Sequence, residues 1–234
     1  MKQIHFEVID STNTYLKSNY QNLENLTFVS SDYQTQGKGR SNRKWEASKD
    51  NLLFSLLLKD KRYFEQTNVI SILSAFTILQ VLQDYGLTDV SIKWPNDVYV
   101  KDKKICGILL EAKSTNDIEC LIIGVGVNVN QKEFDKEFNA TSMKNVLNKD
   151  IDINKLKEDI YQKMIDNLDM LLQSHDYYQE IVKYDYLKNK EVYALISAEK
   201  KLVTVKGMNR DYSLCVVADE QEYNLNSGEI SFHI

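Results

Sequence analysis

One run constrains the fold more than any other. Residues 51–59, NLLFSLLLK, are almost continuously apolar. A strand with one wet face alternates apolar and polar side chains, so a run without alternation reads as a central strand buried on both faces. The segments around it supply its neighbours. Ile4, Phe6 and Val8 alternate with polar residues as in a strand, and Asp10 or Ser11 can cap a helix beginning near Thr12. Residues 27–33 read as a strand and 34–50 as a polar loop containing Gly37 and Gly39. Ile72, Ala75, Phe76 and Leu79 give one broad apolar face to a helix over Ile70–Leu82, and Gly86 ends it. Strand regions follow at 90–94, 97–113 and 118–129, with KDKK (101–104) folding the second into a hairpin. Residues 141–147 and 153–187 read as helical, the latter lacking Pro and Gly.

The pattern changes near Asn189. EVYALI, KLVTVKGM, YSLCVVA, EYNLN and EISFH are short strands separated by turn residues, which suggests a small β-barrel or sandwich of about five strands. The expected domains are therefore 1–187 and 188–234. Some functions are disfavoured at once. A net charge of −5 argues against a general nucleic-acid binder. Cys106, Cys120 and Cys215 form no C-x-x-C pair and read as reduced thiols, and His5, His175 and His233 lack metal-ligand spacing, so no metal site is expected. The N-terminus has no apolar signal region, and no stretch approaches 18 apolar residues, so the expectation is a cytoplasmic, membrane-free protein.

Three segments carry chemistry. In YQTQGKGRSNRKW (33–45) and just beyond it, Lys38, Arg40, Arg43, Lys44 and Lys49 face one anion, Glu46, and two of the four arginines in the chain lie here. Arginine suits planar, bidentate contact with carboxylate or phosphate, and Gly37 and Gly39 let the backbone approach an anion; a solvated basic turn is the plain alternative. KWPND (93–97) holds the single proline, Pro95, which interrupts strand pairing, so Lys93 can point an ammonium into a site; an ordinary turn would look the same. In IIGVGVNVN (122–130), Gly124, Gly126 and Asn128 share one side of a strand, which either bulges or leaves room for something packed closely. Neither a P-loop nor G-x-G-x-x-G is present.

Taken in order, STN (11–13), YQTQGKGRSNRKW, NLLFSLLL, KWPND, KKICGILLE (103–111) and GVGVNVN (124–130) resemble the biotin–protein ligase family. The resemblance implies an α/β (α+β) catalytic domain with a mixed sheet, related to that of class II tRNA synthetases, plus a small C-terminal SH3-like β-barrel. It implies an ATP-dependent ligase: biotin and ATP give biotinyl-5′-AMP, and a lysine of a biotin carboxyl carrier domain, in acetyl-CoA carboxylase or a related enzyme, then takes the biotin. It assigns Lys93 and Arg40 as catalytic residues. It places Ser11, Thr12, Asn13, Gln34, Gly37, Lys38, Gly39, Arg40, Lys93 and Gly107 around biotin, with Ser11, Thr12 and Gln34 at the ureido ring. Arg40, Arg43, Trp45, Asn96 and Asn128 go to ATP, with Trp45 near adenine and Mg²⁺ accompanying the polyphosphate. Residues 36–48 are expected to be mobile when empty and to order over the ligand.

The chain departs from the family's usual G-R-G-R-x-G-R loop: Lys38 replaces the first arginine, losing its bidentate fork, and Asn42 replaces the last glycine. Longer members begin with a DNA-binding domain; here the catalytic region starts at Met1, so the expectation is a monofunctional short form that binds no DNA. Homodimerisation through a sheet edge is plausible for such a fold. Two other readings compete. A lipoate or octanoate ligase would need a long acyl tunnel and an R-R-x-S-G-G-G segment, which is missing. A noncatalytic biotin-binding protein would not need Arg40 and Lys93.

Overall fold

The computed structural model describes residues 2–40, 43, 45, 48–135, 137–196 and 199–226. Strands β1 (Gln3–Ile9), β2 (Phe28–Gln34), β3 (Leu52–Leu58), β4 (Val90–Lys93), β5 (Asp97–Val100), β6 (Lys103–Ser114) and β7 (Ile118–Val127) form one sheet, ordered β1-β2-β3-β7-β6-β5-β4. Helix α1 (Thr12–Asn19) joins β1 to β2, the one parallel pair; such a pair needs a crossover, which α1 supplies. The other pairings are antiparallel, so the sheet is mixed, as expected.

All seven residues of β3 are buried. Phe54, Leu56 and Leu58 face the main core with Phe28, whose ring stacks on Phe54 at 4.8 Å. Helices α2 (Thr67–Asp84) and α4 (Ile153–Leu172) cover that face. Leu57 faces the other way, into a smaller cluster with Leu16 of α1, Val29, Cys120 and Ile122. Short α1 covers only part of this second face, and the uncovered part becomes the site.

Two helical expectations change. Helix α2 is buried almost all round rather than along one face, because the sheet, α4 and the segments after α4 enclose it. Asn167 of α4 donates to Thr77 Oγ1 of α2 at 2.8 Å, so even its buried hydroxyl is paired. The helix expected over 153–187 stops at Leu172. Ser174 takes a left-handed φ of 66°, and only α5 (Tyr178–Ile181) and a short 3₁₀ turn follow. No proline or glycine announces that break. Helix α3 (Met143–Leu147) and the hairpin turning at Lys101 fall where expected.

A second sheet, β8 (Glu191–Ile196), β9 (Glu199–Met208), β10 (Leu214–Ala218) and β11 (Gln221–Leu225), is an antiparallel meander. The expected strand EISFH (229–233), and Ser41, Asn42, Lys44, Glu46 and Ala47 of the expected mobile loop, lie outside the described residues. Trp94 Nε1 donates to the Tyr212 carbonyl at 2.8 Å, and Met208 N donates at 3.2 Å to Asp185, which itself bridges Ile92 of β4, so this sheet is tied to the edge of the first. Among the described residues no helix is long and apolar enough to cross a membrane.

Burial on both faces makes β3 the most sensitive strand. Leu56→Ala should cost about 2–5 kcal/mol of unfolding free energy in a urea titration, and Val8→Ala, on the exposed edge, within about 0.5 kcal/mol of zero. Equal losses would contradict the two-sided burial.

Candidate active site

Cross-strand partners share a sheet face. One row therefore crosses the uncovered face as Lys93, Asp97, Gly107, Gly126 and Leu53, and the next as Leu109, Gly124 and Ser55. Three of these eight positions are glycine. A cavity of about 360 Å³ stands over them. A side chain at Gly107 or Gly126 would strike the Trp45 indole, and one at Gly124 the Asn13 amide. These glycines are vacated so that Trp45 and Asn13 can lie flat on the sheet. Of the two readings of Gly124 and Gly126, a bulge or a close approach, the structure has the close approach: β7 pairs in regular register there, and the approaching groups are Asn13 and Trp45.

One end of the cavity is neutral and hydrogen-bonding. Ser11 caps α1, its side chain accepting from Thr14 N at 3.4 Å. Thr12 N donates to Gln34 Oε1 at 2.7 Å, joining the helix start to the end of β2. Ser55 Oγ stands 2.6 Å from Thr12 Oγ1 and 2.5 Å from Asn13 Oδ1. Asn13 Nδ2 reaches Glu111 at 2.8 Å, and Lys17 pairs with the same carboxylate at 3.1 Å. Burial works against the Glu111 charge, but the hydrogen bonds from Asn13 and Lys17 outweigh it and hold the carboxyl below its usual range.

The other end is cationic. Lys93, half-buried, has its Nζ 3.3 Å from Tyr99 Oη and 5.0 Å from that ring's centre. Burial pushes the Lys93 ammonium below the usual lysine range, partly offset by Asp97. Arg40 donates to Asn96 Oδ1 at 3.1 Å, which ties the basic loop to the turn after β4. Burial lowers its guanidinium too, with Asp97 opposing. Arg43 is exposed, its carbonyl accepting from Gly39 N at 2.7 Å. Lys104 pairs with Asp97 at 2.7 Å and lies 5.3 Å from the Trp45 ring. Lys38 is exposed, its Nζ 3.5 Å from Thr14 Oγ1.

Ser11, Thr12, Asn13, Gln34, Lys38, Gly39, Arg40, Arg43, Trp45, Lys93, Asn96, Gly107 and Asn128 all line this one cavity. Gly37 does not; its carbonyl accepts from Trp45 N at 3.0 Å, so it seats the tryptophan from behind. Asn128 is on the wall with both ends of its amide engaged, donating to Thr141 O at 3.1 Å and accepting from Asn51 at 3.3 Å. Sequence reasoning missed Asn51 and Gln131, joined at 2.6 Å, which pin the segment after β7. It also missed Ser55, Tyr99, Phe134 and Phe138. Two aromatic residues four apart in the polar stretch QKEFDKEF were a usable signal; the polar pairs form only by tertiary contact.

The chain is thus a mixed α/β protein whose sheet carries one cavity with a hydrogen-bonding end and a cationic end, a lining suited to a small molecule of matching polarity. The Biotin/lipoate A/B protein ligase family matches residues 5–128, more than half the chain, and the chain belongs to that family. The bifunctional ligase/repressor BirA of Bacillus subtilis is 33% identical over 156 residues, 64% of this chain and 48% of that one. BirA of Escherichia coli is 35% identical over 124 residues, covering 52% and 39%. The chain thus spans half or less of the length of these curated relatives. A structure of biotin protein ligase from Aquifex aeolicus in complex with biotin and ATP superposes with a TM-score of 0.89 at 28% identity, covering 99% of this chain and 98% of that one.

If Gly126 exists to seat Trp45, Gly126→Ala should expel the indole while the sheet stays folded. The other tryptophan, Trp94, is buried, so iodide quenching should rise through Trp45 alone, and fall back in Gly126→Ala/Trp45→Phe. Unchanged quenching would refute the seating.

Proposed function

We propose that this chain is a biotin–protein ligase, which joins biotin to ATP as biotinyl-5′-AMP and passes the biotin to a lysine of a carboxylase carrier domain. The observation that carries this reading is the polarity of the cavity: neutral hydrogen-bonding groups at Thr12 and Gln34, cations at Lys93 and Arg40, and an aromatic face at Trp45. Biotin has a neutral ureido ring at one end and a carboxylate at the other, and adenine offers a flat ring to the indole.

In the first step a carboxylate oxygen attacks the α-phosphorus, and the bond to the bridging oxygen breaks to release pyrophosphate. Two anions must meet, and fixed cations offset their repulsion. Lys93 would hold the carboxylate and then the new phosphate, with Arg40 beside it. In the second step the acceptor amine attacks the acyl carbon and AMP leaves, so the enzyme needs no nucleophile of its own. Among the described residues no group of three or more His, Cys, Asp or Glu could hold a metal. Mg²⁺ in this reading arrives on the phosphates of ATP as part of the substrate.

We further read 1–187 as the catalytic domain and 188–234 as a smaller companion. The work belongs to the cytoplasm, where ATP and carboxylases meet, and three unpaired cysteines suit it. A DNA-free, monofunctional role and pairing of two copies through a sheet edge remain part of the same proposal.

ATP–pyrophosphate exchange tests the reading. Biotin should support exchange, and lipoate or octanoate should not; exchange with either of those alone would move the chain to the other branch of its family. Lys93→Ala should lower biotin-dependent exchange by about 10²–10³-fold without loss of fold. The charge of Lys93 also fixes a pH dependence. It is present at low pH and lost as pH rises through a depressed pKa, so kcat/KM should fall on the alkaline side below the ordinary lysine range. Lys93→Arg should move that limb upward; an unmoved limb would remove Lys93 from the role.

A further inference from the structure

Hydrogen-bond direction can be followed through the neutral end of the cavity. Glu111, as a carboxylate, only accepts, so the Asn13 amide must turn its nitrogen to it, at 2.8 Å. Asn13 Oδ1 then faces Ser55, and that oxygen also only accepts. The single Ser55 proton is thereby committed to Asn13, at 2.5 Å. Thr12 Oγ1, 2.6 Å from Ser55 Oγ, must spend its own proton on Ser55. Its 3.2 Å approach to Gln34 Oε1 is the longer of its two contacts. What Thr12 has left for the cavity is a lone pair. Gln34 Oε1 already accepts from Thr12 N at 2.7 Å, so Gln34 presents its NH₂.

The geometry points to Glu111 as a positioning residue that fixes, through Asn13 and Ser55, an acceptor at Thr12, so that the ligand must bring an N–H to that point. This inference rests on the reading of the cavity as a biotin site and adds the origin of its selectivity. Asn13, Ser55 and Thr12 are all buried, so water does not compete for these protons, and Gly124 leaves the space in which the Asn13 amide lies. Lys17 supports the Glu111 charge from the far side, away from the relay. A glutamine at 111 could donate as well as accept. Asn13 could then turn over, Ser55 would be forced to donate to Thr12, and Thr12 would be freed to donate into the cavity.

The test compares binding of biotin with that of the two cyclic carbamates in which one or the other ureido N–H is replaced by a ring oxygen. It uses the full chain and isothermal titration. The wild type should prefer biotin over one of the two carbamates by at least about 100-fold, because that oxygen would meet a lone pair. In Glu111→Gln the preference should fall at least about tenfold, while Lys17→Ala should keep it. Ser55→Ala cuts the relay at a second point and should also lower the preference, which guards against a folding defect peculiar to position 111. A wild-type preference in both folded Glu111→Gln and folded Ser55→Ala would overturn the inference and leave the biotin reading standing. A wild type that binds no biotin would overturn that reading, and the inference with it.

Discussion

Protein interiors are packed to the density of organic crystals, and a sheet face inside a fold is ordinarily filled by its own side chains. Everything notable here depends on breaking that rule at three neighbouring points. Gly107, Gly124 and Gly126 remove the side chains that would fill the middle of one face, and Trp45 and Asn13 lie where those side chains would be, lining the cavity above them. Glycine in a strand interior is unfavourable, and β6 and β7 bear it because they are central and long, with ten or more residues each. The opposite face stays fully packed against α2 and α4, and this is where the stability lies. One face carries the load so that the other can be emptied.

The two ends of the emptied face then follow from topology. The neutral end comes from the β1–α1 junction and the end of β2, which parallel pairing brings side by side at Ile9 and Gln34. The cationic end comes from the opposite flank, where β4 turns into β5. The basic loop after β2 reaches across, and Arg40 meets Asn96 over the span between them. The chain's net negative charge is no obstacle, because the cations that matter are gathered by position and not by excess.

Much of this was legible in the sequence, for identifiable reasons. A strand buried on both faces loses its alternation, so 51–59 announced itself. Paired glycines in an apolar strand signalled a close approach, although the approaching groups, Trp45 and Asn13, lie far away in the chain. Where reading failed, the cause was tertiary. The break at Ser174 carries no proline or glycine and depends on what the following residues pack against. The enclosure of α2 comes from elements on several sides, which a single helical stripe cannot foretell. Ser55 is the one polar residue within β3, and Glu111 closes the segment KKICGILLE. Their partners are 42 and 98 residues distant, so no spacing rule finds them.

The hydrogen bond from Trp94 to the Tyr212 carbonyl joins the residue next to Lys93 to the second sheet. Tyr212 lies between β9 and β10 in a left-handed turn, and the bond is buried. The ammonium that faces the cavity is therefore held in place partly by a segment that contributes nothing to the cavity wall. A change that displaced the Tyr212 carbonyl would therefore reach the neighbour of Lys93 through one buried bond, with every residue of the cavity wall left in place. The second sheet is in this sense a brace for β4, set behind the cavity and not in it.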